Sequence, residues 1–486
     1  MIDDMADSCN RNPAALCSSA QGSNTVADGV SSTAQGYQTR TNNSFAHSEG
    51  SNTVAGNGRS GGGAASHAEG HLAVTGADTA HAQGYATTAS GDAAHAQGYL
   101  TAAIGASSHA QGARTRAEGI SAHAEGEGTI ASGRASHAEG GAFDLARNLA
   151  PTRASGESSH AEGIGTIASG FGSHAQGGTN NITFSPGPRA LNNFSHAQGL
   201  STISSGIASH AQGALTDARG DLAHAEGYLN IASGIASHAE GFSTVADGDY
   251  SHSEGSNTRT SSFAGAHIMG RNGDAIEAHS WFIANGPDEV TRGIGAQWLA
   301  STGDMSVQGR FIPGGQDYAE LFESVNGEAI DVGYFVTLVD DKIRIATDQD
   351  DYILGVTSAT PGIIGNGENL RWKDQYMKDE WGRVIKEEVV IPATYDANGM
   401  LIQREEVRMQ PVLNPDWDTS QAYVPRIKRT EWSAVGMIGI LRVRDDGTSR
   451  VNGFCRPNGE GMATDSEQGY RVIKRTGPNQ IVIILK

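Results

Sequence analysis

Residues 123–136 read HAEGEGTIASGRAS, and His137 then begins the same pattern again. Such self-similarity at a fixed period dictates architecture, so the repeat is interpreted before any other feature. Its core, Ser-His-Ala-Glu/Gln-Gly, is marked by a histidine in thirteen registers: His67, His81, His95, His109, His123, His137, His160, His174, His196, His210, His224, His238 and His252. Extended backward, the register reaches His47, Thr33 and Ser19, which gives sixteen registers between residues 19 and 255.

Each repeat predicts two short strands. Successive side chains of a strand point to opposite faces, so Ala124 and Gly126 share one face, while His123 and Glu125 share the other. Residues 129–133 alternate in the same way, again with small residues on one face. A face of small residues in every repeat predicts a very narrow interior. We therefore expect an all-β fold, a flattened parallel β-roll with two strands per turn.

The histidine face is nearly constant. Fourteen registers carry His, followed two residues later by eight Glu and six Gln. An interior of Ala, Ser and Thr buries little apolar area, so we expect assembly to supply the missing burial. Because a solenoid with one self-complementary stripe suits cyclic closure, the thirteen histidines are predicted to line the axis of a homotrimer.

Two interpretations of this axis remain open. The histidines form hydrogen-bond ladders with Glu or Gln of neighbouring chains, or they bind metal ions or anions. Gln is a poor metal ligand and yet it exchanges freely with Glu, which favours the ladders. We accordingly expect neither a metal nor another cofactor.

Composition excludes several function classes. The formal net charge of −20 opposes nucleic-acid binding. The acidic start MIDDMADSCN lacks an apolar signal region, and no apolar run of 18 residues occurs, so neither a Sec signal nor membrane insertion is expected.

Changes in composition predict four regions: an N-terminal segment at 1–18, the β-roll at 19–255, a β-rich neck at 256–316 and a C-terminal β domain at 317–486. Three insertions interrupt the repeats, near Gly56–Ala65, between His137 and His160, and between His174 and His196. The last two are candidate receptor-contact loops or clasps that lock the trimer. Their more adhesive residues are Phe143, Leu145, Arg147, Phe184, Arg189 and Leu191.

The repeat resembles the heads of trimeric bacterial adhesins, which are left-handed parallel β-rolls. It is more similar still to repeat regions in phage tail and appendage proteins. The adhesin resemblance covers the fold only, because adhesin heads usually carry apolar residues where this chain has His and Glu or Gln.

The C-terminal region resembles the self-cleaving intramolecular chaperone domain of phage pre-neck appendage and tail-fibre proteins, a glutamic-type autopeptidase family. The motifs that carry the resemblance are DYAELFE (317–323), DDYILGVTSATPGIIGN (350–366), RWKDQY (371–376), QPVLNPDWD (410–418) and GYRVIKRTGPNQ (469–480). The resemblance implies a domain that trimerises the fibre, guides its folding and then severs itself. Cleavage would fall between Gln316 and Asp317, with Glu320 as catalytic carboxylate and Asp317 assisting it.

Self-cleaving members often carry a small residue before the Asp, whereas this chain has Gln316. The sequence therefore leaves open whether the domain cleaves itself, as a single-turnover endopeptidase, or stays as a permanent cap.

The sequence predicts a homotrimeric phage tail or appendage fibre. It would be made in the host cytoplasm, located in the virion, and partnered by other virion proteins and a host surface receptor or glycan. One alternative is a non-cleaving bacterial surface or spore protein with a structural or adhesive role. Another is a surface-polysaccharide hydrolase, for which the repeats supply no paired-carboxylate groove.

Overall fold

A computed structural model describes residues 12–13, 15–56, 63–183, 186–367, 375–397, 399, 401–418, 420 and 422–486. Most of the predicted N-terminal segment, the centre of the first insertion, Phe184 and residues 371–374 of the RWKDQY motif lie outside these ranges. The chain divides into two compact units, one formed by Met1–Gly309 with Tyr395–Gln403 and the other by Arg310–Thr394 with Arg404–Lys486. The described residues are almost entirely β-structure, as predicted, with one 3₁₀ turn at Arg426–Lys428.

Two sets of strands build the repeats of the first unit. The long strands are Ser19–Ser23, Thr33–Tyr37, His47–Ser51, His67–His71, His81–Tyr85, His95–Tyr99, His109–Ala113, His123–Glu127, His137–Gly141, His160–Ile164, His174–Gly178, His196–Leu200, His210–Ala214, His224–Tyr228, His238–Phe242, His252–Arg259 and His267–Asp274. The short strands are Asn12–Pro13, Val26–Ala27, Arg40–Thr41, Val54–Ala55, Val74–Thr75, Thr88–Ala89, Ala102–Ala103, Arg116–Ala117, Ile130–Ala131, Arg153–Ala154, Ile167–Ala168, Arg189–Ala190, Ile203–Ser204, Asp217–Ala218, Ile231–Ala232 and Val245–Ala246.

Every repeat pairs in parallel with the next, and the registers match the sequence period. His81 lies opposite His95, and His137 lies opposite His160 across the second insertion. The two strand sets form two parallel ladders on a common coil. This confirms the predicted solenoid with two strands per turn.

Small side chains fill the interior. Ala124 and Ala131 have no exposed surface, and Thr129 is equally buried. Where a Ser precedes the His, it can close a turn: Ser136 Oγ donates a hydrogen bond of 2.7 Å to the carbonyl of Gly133. The polar interior is thereby partly satisfied by its own backbone.

Glycine is required where consecutive turns touch. Gly126 has φ +97°, and a Cβ there would lie 2.2 Å from the carbonyl oxygen of Gly140. A Cβ at Gly133 would lie 1.9 Å from the oxygen of Gly156. The glycines therefore do more than bend the chain: they let successive turns stack at strand spacing.

The parallel ladder continues past the last regular repeat. His252–Arg259 pairs with His267–Asp274, which pairs in turn with Trp281–Asn285. Here Ile268 and Phe282 replace alanines in the interior and are 0% and 1% exposed. Two antiparallel strands, Ile294–Trp298 and Met305–Val307, follow.

The second and third insertions are joined to each other. The Asp144 carboxylate accepts hydrogen bonds from the Asn148 backbone at 2.8 Å and from the Ile182 backbone at 2.8 Å. Leu145 and Leu149 beside this junction remain 79% and 65% exposed. Receptor contact and trimer clasping are both compatible with such loops, so their role stays a prediction.

The second unit holds a separate apolar core, built on the long strand Trp432–Arg444. The C-terminal strands, some of them in two small two-stranded sheets, are Asp317–Glu323, Phe335–Val339, Lys342–Ile345, Gly355–Thr357, Ile363–Gly365, Lys386–Ile391, Thr394–Tyr395, Leu401–Gln403, Glu406–Pro411, Trp432–Arg444, Phe454–Pro457, Ala463–Ser466, Tyr470–Gly477 and Gln480–Leu485. Phe335, Val356 and Ile483 are completely buried in the core. In the part of the chain that the structure describes, no helix is long and apolar enough to cross a membrane.

Candidate active site

The predicted cleavage junction lies at the start of a well-paired strand. Asp317–Glu323 pairs antiparallel with Trp432–Arg444 and parallel with Ile363–Gly365. Gln316, just before the strand, is exposed, whereas Asp317 is only 9% exposed. The peptide bond between them thus lies where the chain passes from solvent into the sheet.

The carbonyl of that peptide bond already has a hydrogen-bond donor. The backbone N–H of Ile440 donates to the oxygen of Gln316 at 3.2 Å. Gly439 allows this approach, because it adopts φ +124° and a Cβ there would lie 2.4 Å from the same oxygen. A fixed N–H at a carbonyl oxygen polarises the bond and favours the negative charge that develops there during hydrolysis.

The carboxylate of Asp317 is held in an almost dry position. Its Oδ2 is buried and has no hydrogen-bond partner among the described residues. A Cβ at Gly436 would lie 2.8 Å from this oxygen and 2.4 Å from the Leu441 side chain. A buried polar atom without a partner is costly in a folded protein, and such costs concentrate at functional positions.

Glu320 lies on the other face of the same strand. Asp317, Ala319 and Leu321 alternate as buried residues, so Tyr318 and Glu320 point the opposite way. The Tyr318 hydroxyl donates to Glu320 Oε1 at 2.7 Å, and this hydrogen bond raises the pKa of Tyr318. Three residues of extended chain also separate Glu320 from the junction by about 10 Å. Within one chain, the structure brings Asp317 to the junction but does not bring Glu320.

A cavity of about 860 Å³ opens beside the junction and gives it access to water. Gln316 and Asp317 line one side, and Arg442, Arg444 and Lys474 contribute positive charge to the wall. Sequence reasoning missed Gly439 and Ile440 as parts of this site. The Gly-Met-Ile-Gly-Ile run at 436–440 was the available signal, since two glycines inside a strand often mark close approach of another backbone.

The thirteen predicted ladder histidines form one continuous column, with His47 and His267 at its ends. Neighbouring imidazoles from His67 to His252 stack with centroids 4.6–4.9 Å apart and nearly parallel planes. The Nε2 atoms from His67 to His238 are buried and have no hydrogen-bond partner in the described chain. Burial, together with the neighbouring His210 and His174, lowers the pKa of His196 to about 4. Whether the column lies on a trimer axis stays a prediction.

Comparison with known proteins indicates which domain family the C-terminal region resembles. Residues 278–480 match the family model Peptidase_G2, described as the IMC autoproteolytic cleavage domain. The crystal structure of the bacteriophage phi29 gene product 12 C-terminal fragment is similar to this chain, with 33% sequence identity and a TM-score of 0.29. The match covers 35% of this chain and all of that fragment. The C-terminal region of this chain therefore matches the Peptidase_G2 family. The predicted motifs and the predicted junction all fall within the Peptidase_G2 match. The match begins at residue 278, inside the predicted neck, and so before the predicted domain start at residue 317.

Several relatives of this chain are phage pre-neck appendage proteins. That of Bacillus phage B103 is 38% identical over 162 residues, which are 33% of this chain and 17% of the relative. That of Bacillus phage phi29 is 36% identical over 151 residues, 31% of this chain and 16% of the relative. The chain therefore spans only about a sixth of the length of these relatives. The pre-mature phi29 gene product 12 is 17% identical, with a TM-score of 0.46 over 96% of this chain and 59% of that one.

Proposed function

We propose that this chain is a homotrimeric structural protein of a phage tail or appendage, located in the virion. In this proposal the β-roll forms the fibre, and exposed loops contact a host surface receptor or glycan. The Peptidase_G2 domain drives trimer assembly and then cleaves the chain between Gln316 and Asp317. The family match and the names of the appendage relatives support this proposal.

One observation carries the cleavage step. The carbonyl of Gln316 accepts a hydrogen bond from a fixed backbone N–H, while Asp317, the residue after the bond, holds a buried carboxylate oxygen without a partner. Two carboxylates in unequal environments can divide the roles of activating water and protonating the leaving amine. Because the bond belongs to the same assembly, even a modest site suffices for one turnover.

Since Glu320 faces away from the junction of its own chain, we assign its role to the neighbouring chain of the trimer. There it would act on the partner's Gln316–Asp317 bond. The half-buried histidine column, with its unpartnered Nε2 atoms, supports trimer formation, because a second and third chain can cover it.

Intact mass spectrometry of the purified full-length product under denaturing conditions tests the cleavage. We expect two fragments, 1–316 and 317–486. A single full-length mass would contradict self-cleavage and leave the domain as a permanent cap, as in the alternative of a non-cleaving surface protein.

A substitution then tests Glu320. Glu320→Ala is expected to slow cleavage about 100-fold or more, the usual effect of losing an acid–base group. Light scattering after size exclusion should still show a trimer. The exposed Glu328 offers a matched control, because Glu328→Ala removes a nearby carboxylate and should leave cleavage unchanged. Loss of the trimer in Glu320→Ala would instead assign Glu320 a structural role.

A further inference from the structure

The acidic and amide residues that lie two positions after Ser19, Thr33 and each of the fourteen repeat histidines are grouped. Gln occupies two registers, then Glu two, Gln three, Glu three, Gln three and Glu three. We call the consecutive glutamates the Glu blocks, and they consist of Glu49 and Glu69, then Glu125, Glu139 and Glu162, then Glu226, Glu240 and Glu254. Runs of registers with neutral Gln thus alternate with runs that carry acidic Glu, while the backbone of the repeat stays the same.

Several carboxylates of the Glu blocks lie between two imidazoles. Glu139 Oε2 is 3.8 Å from His137 Nε2, and its Oε1 is 3.7 Å from His160 Nε2. Glu240 repeats the arrangement, at 3.9 Å from His238 and 3.7 Å from His252. These distances are too long for hydrogen bonds, and the Nε2 atoms concerned find no other partner among the described residues.

We propose that the Glu blocks bind divalent transition-metal ions of the zinc type, one for each block. Their donor atoms form groups of three within 4.8 Å of one another: His67 with Glu69 and His81, Glu125 with His137 and Glu139, Glu139 with His160 and Glu162, and His238 with Glu240 and His252. The two central groups share Glu139, so they amount to a single site.

The donor geometry fits such an ion. Bonds of about 2.0–2.1 Å in a tetrahedral site place neighbouring donors roughly 3.3 Å apart. The carboxylate–imidazole separations of 3.7–3.9 Å close with a shift of about half an ångström. The complete groups, whose three donors lie within 4.8 Å of one another, close with side-chain shifts of up to about 1.5 Å. Imidazole nitrogen with carboxylate oxygen is a ligand set that Zn²⁺ accepts, and a water can take the remaining position.

The electrostatics also favour a cation. His238 and His252 stack with ring centroids 4.6 Å apart, and both present Nε2 to the carboxylate of Glu240. Glu125, Glu139 and Glu162 lie opposite one another in successive turns, so their carboxylates repel one another. A bound cation relieves that repulsion. The runs of consecutive registers that carry Gln instead, the Gln blocks, have no such repulsion between carboxylates.

Calorimetric titration of the metal-free full-length chain with Zn²⁺ tests the proposal. We expect about three ions per chain for the natural sequence, one for each Glu block. The combined substitutions E125Q, E139Q and E162Q should reduce this to about two. Gln is the resident residue of the equivalent registers elsewhere, so the backbone should be undisturbed, and circular dichroism of the metal-free chains checks this.

A gain of binding provides the second arm. Gln97→Glu places a carboxylate between His95 and His109 in a Gln block and should add one ion per chain. The same stoichiometry in the natural chain, the triple variant and Gln97→Glu would overturn the proposal, as would the absence of zinc binding. If the triple variant does not fold, the result for Gln97→Glu decides.

Discussion

At the scale of single residues, the cleavage junction depends on a glycine in the opposite strand. Gly439 has φ +124°, and its missing Cβ leaves space for the oxygen of Gln316 and the Cα of Asp317. Any side chain there would push the junction away from the N–H of Ile440. The hydrogen bond to the carbonyl of the proposed cleavage junction therefore depends on a residue that takes no part in the proposed chemistry.

We expect Gly439→Ala to slow cleavage strongly and to lower stability by more than the about 1–3 kcal/mol that a strained backbone alone costs. Intact mass spectrometry over time measures cleavage, and thermal denaturation measures stability. Gly447 is a suitable control, because it has φ +96° with no atom near its Cβ position. Gly447→Ala should lose stability from strain but cleave at the natural rate; equal cleavage by both variants would contradict this role of Gly439.

At the scale of elements, the sequence predicted the repeats well and the site less well. The period of fourteen residues placed each strand, because a small residue (Ala, Ser or Thr) recurs at the positions of Ala124 and Ala131 in every turn. The alternation of DYAELFE also suffices to place Asp317 and Glu320 on opposite faces. By contrast, the glycines at 436 and 439 indicate close approach of some backbone, but nothing local identifies Gln316 as that partner, because strand pairing across more than a hundred residues leaves no local pattern.

The histidine column leads to a prediction about pH. Burial within the stack lowers the pKa of His196 to about 4, whereas an unfolded histidine titrates near 6.5. The folded state therefore favours the neutral ring, and its contribution to stability is fully present above about pH 6.5. It is lost as the pH falls toward 4. We expect the melting temperature of the β-roll, followed by circular dichroism, to fall over this range.

His196→Gln provides the comparison, since it removes one titrating ring from a Gln block. The variant should lose less stability between pH 6.5 and 4 than the natural chain does. An identical pH dependence in both proteins would show that His196 does not contribute to it.

At the scale of the whole molecule, the proposed cleavage depends on the proposed trimer assembly. The single chain leaves the column half-exposed, leaves Asp317 Oδ2 without a partner and leaves Glu320 about 10 Å from its own junction. A site completed by a neighbouring chain would ensure that cleavage follows assembly. The cut would then report that the trimer has formed, which suits a domain that is discarded once the fibre has folded.

Co-expression of two inactive chains tests this coupling. One chain carries Glu320→Ala with a natural junction and a tag; the other carries Asp317→Ala with a natural Glu320. Neither should cleave alone, but in mixed trimers the second chain can supply Glu320 to the junction of the first. We therefore expect mass spectrometry to show the tagged chain cut at Gln316 only after co-expression. A partner carrying both substitutions should restore nothing. If the natural chain cleaves while the mixture does not, Glu320 acts within its own chain after a rearrangement of the strand, and cleavage does not depend on a neighbour.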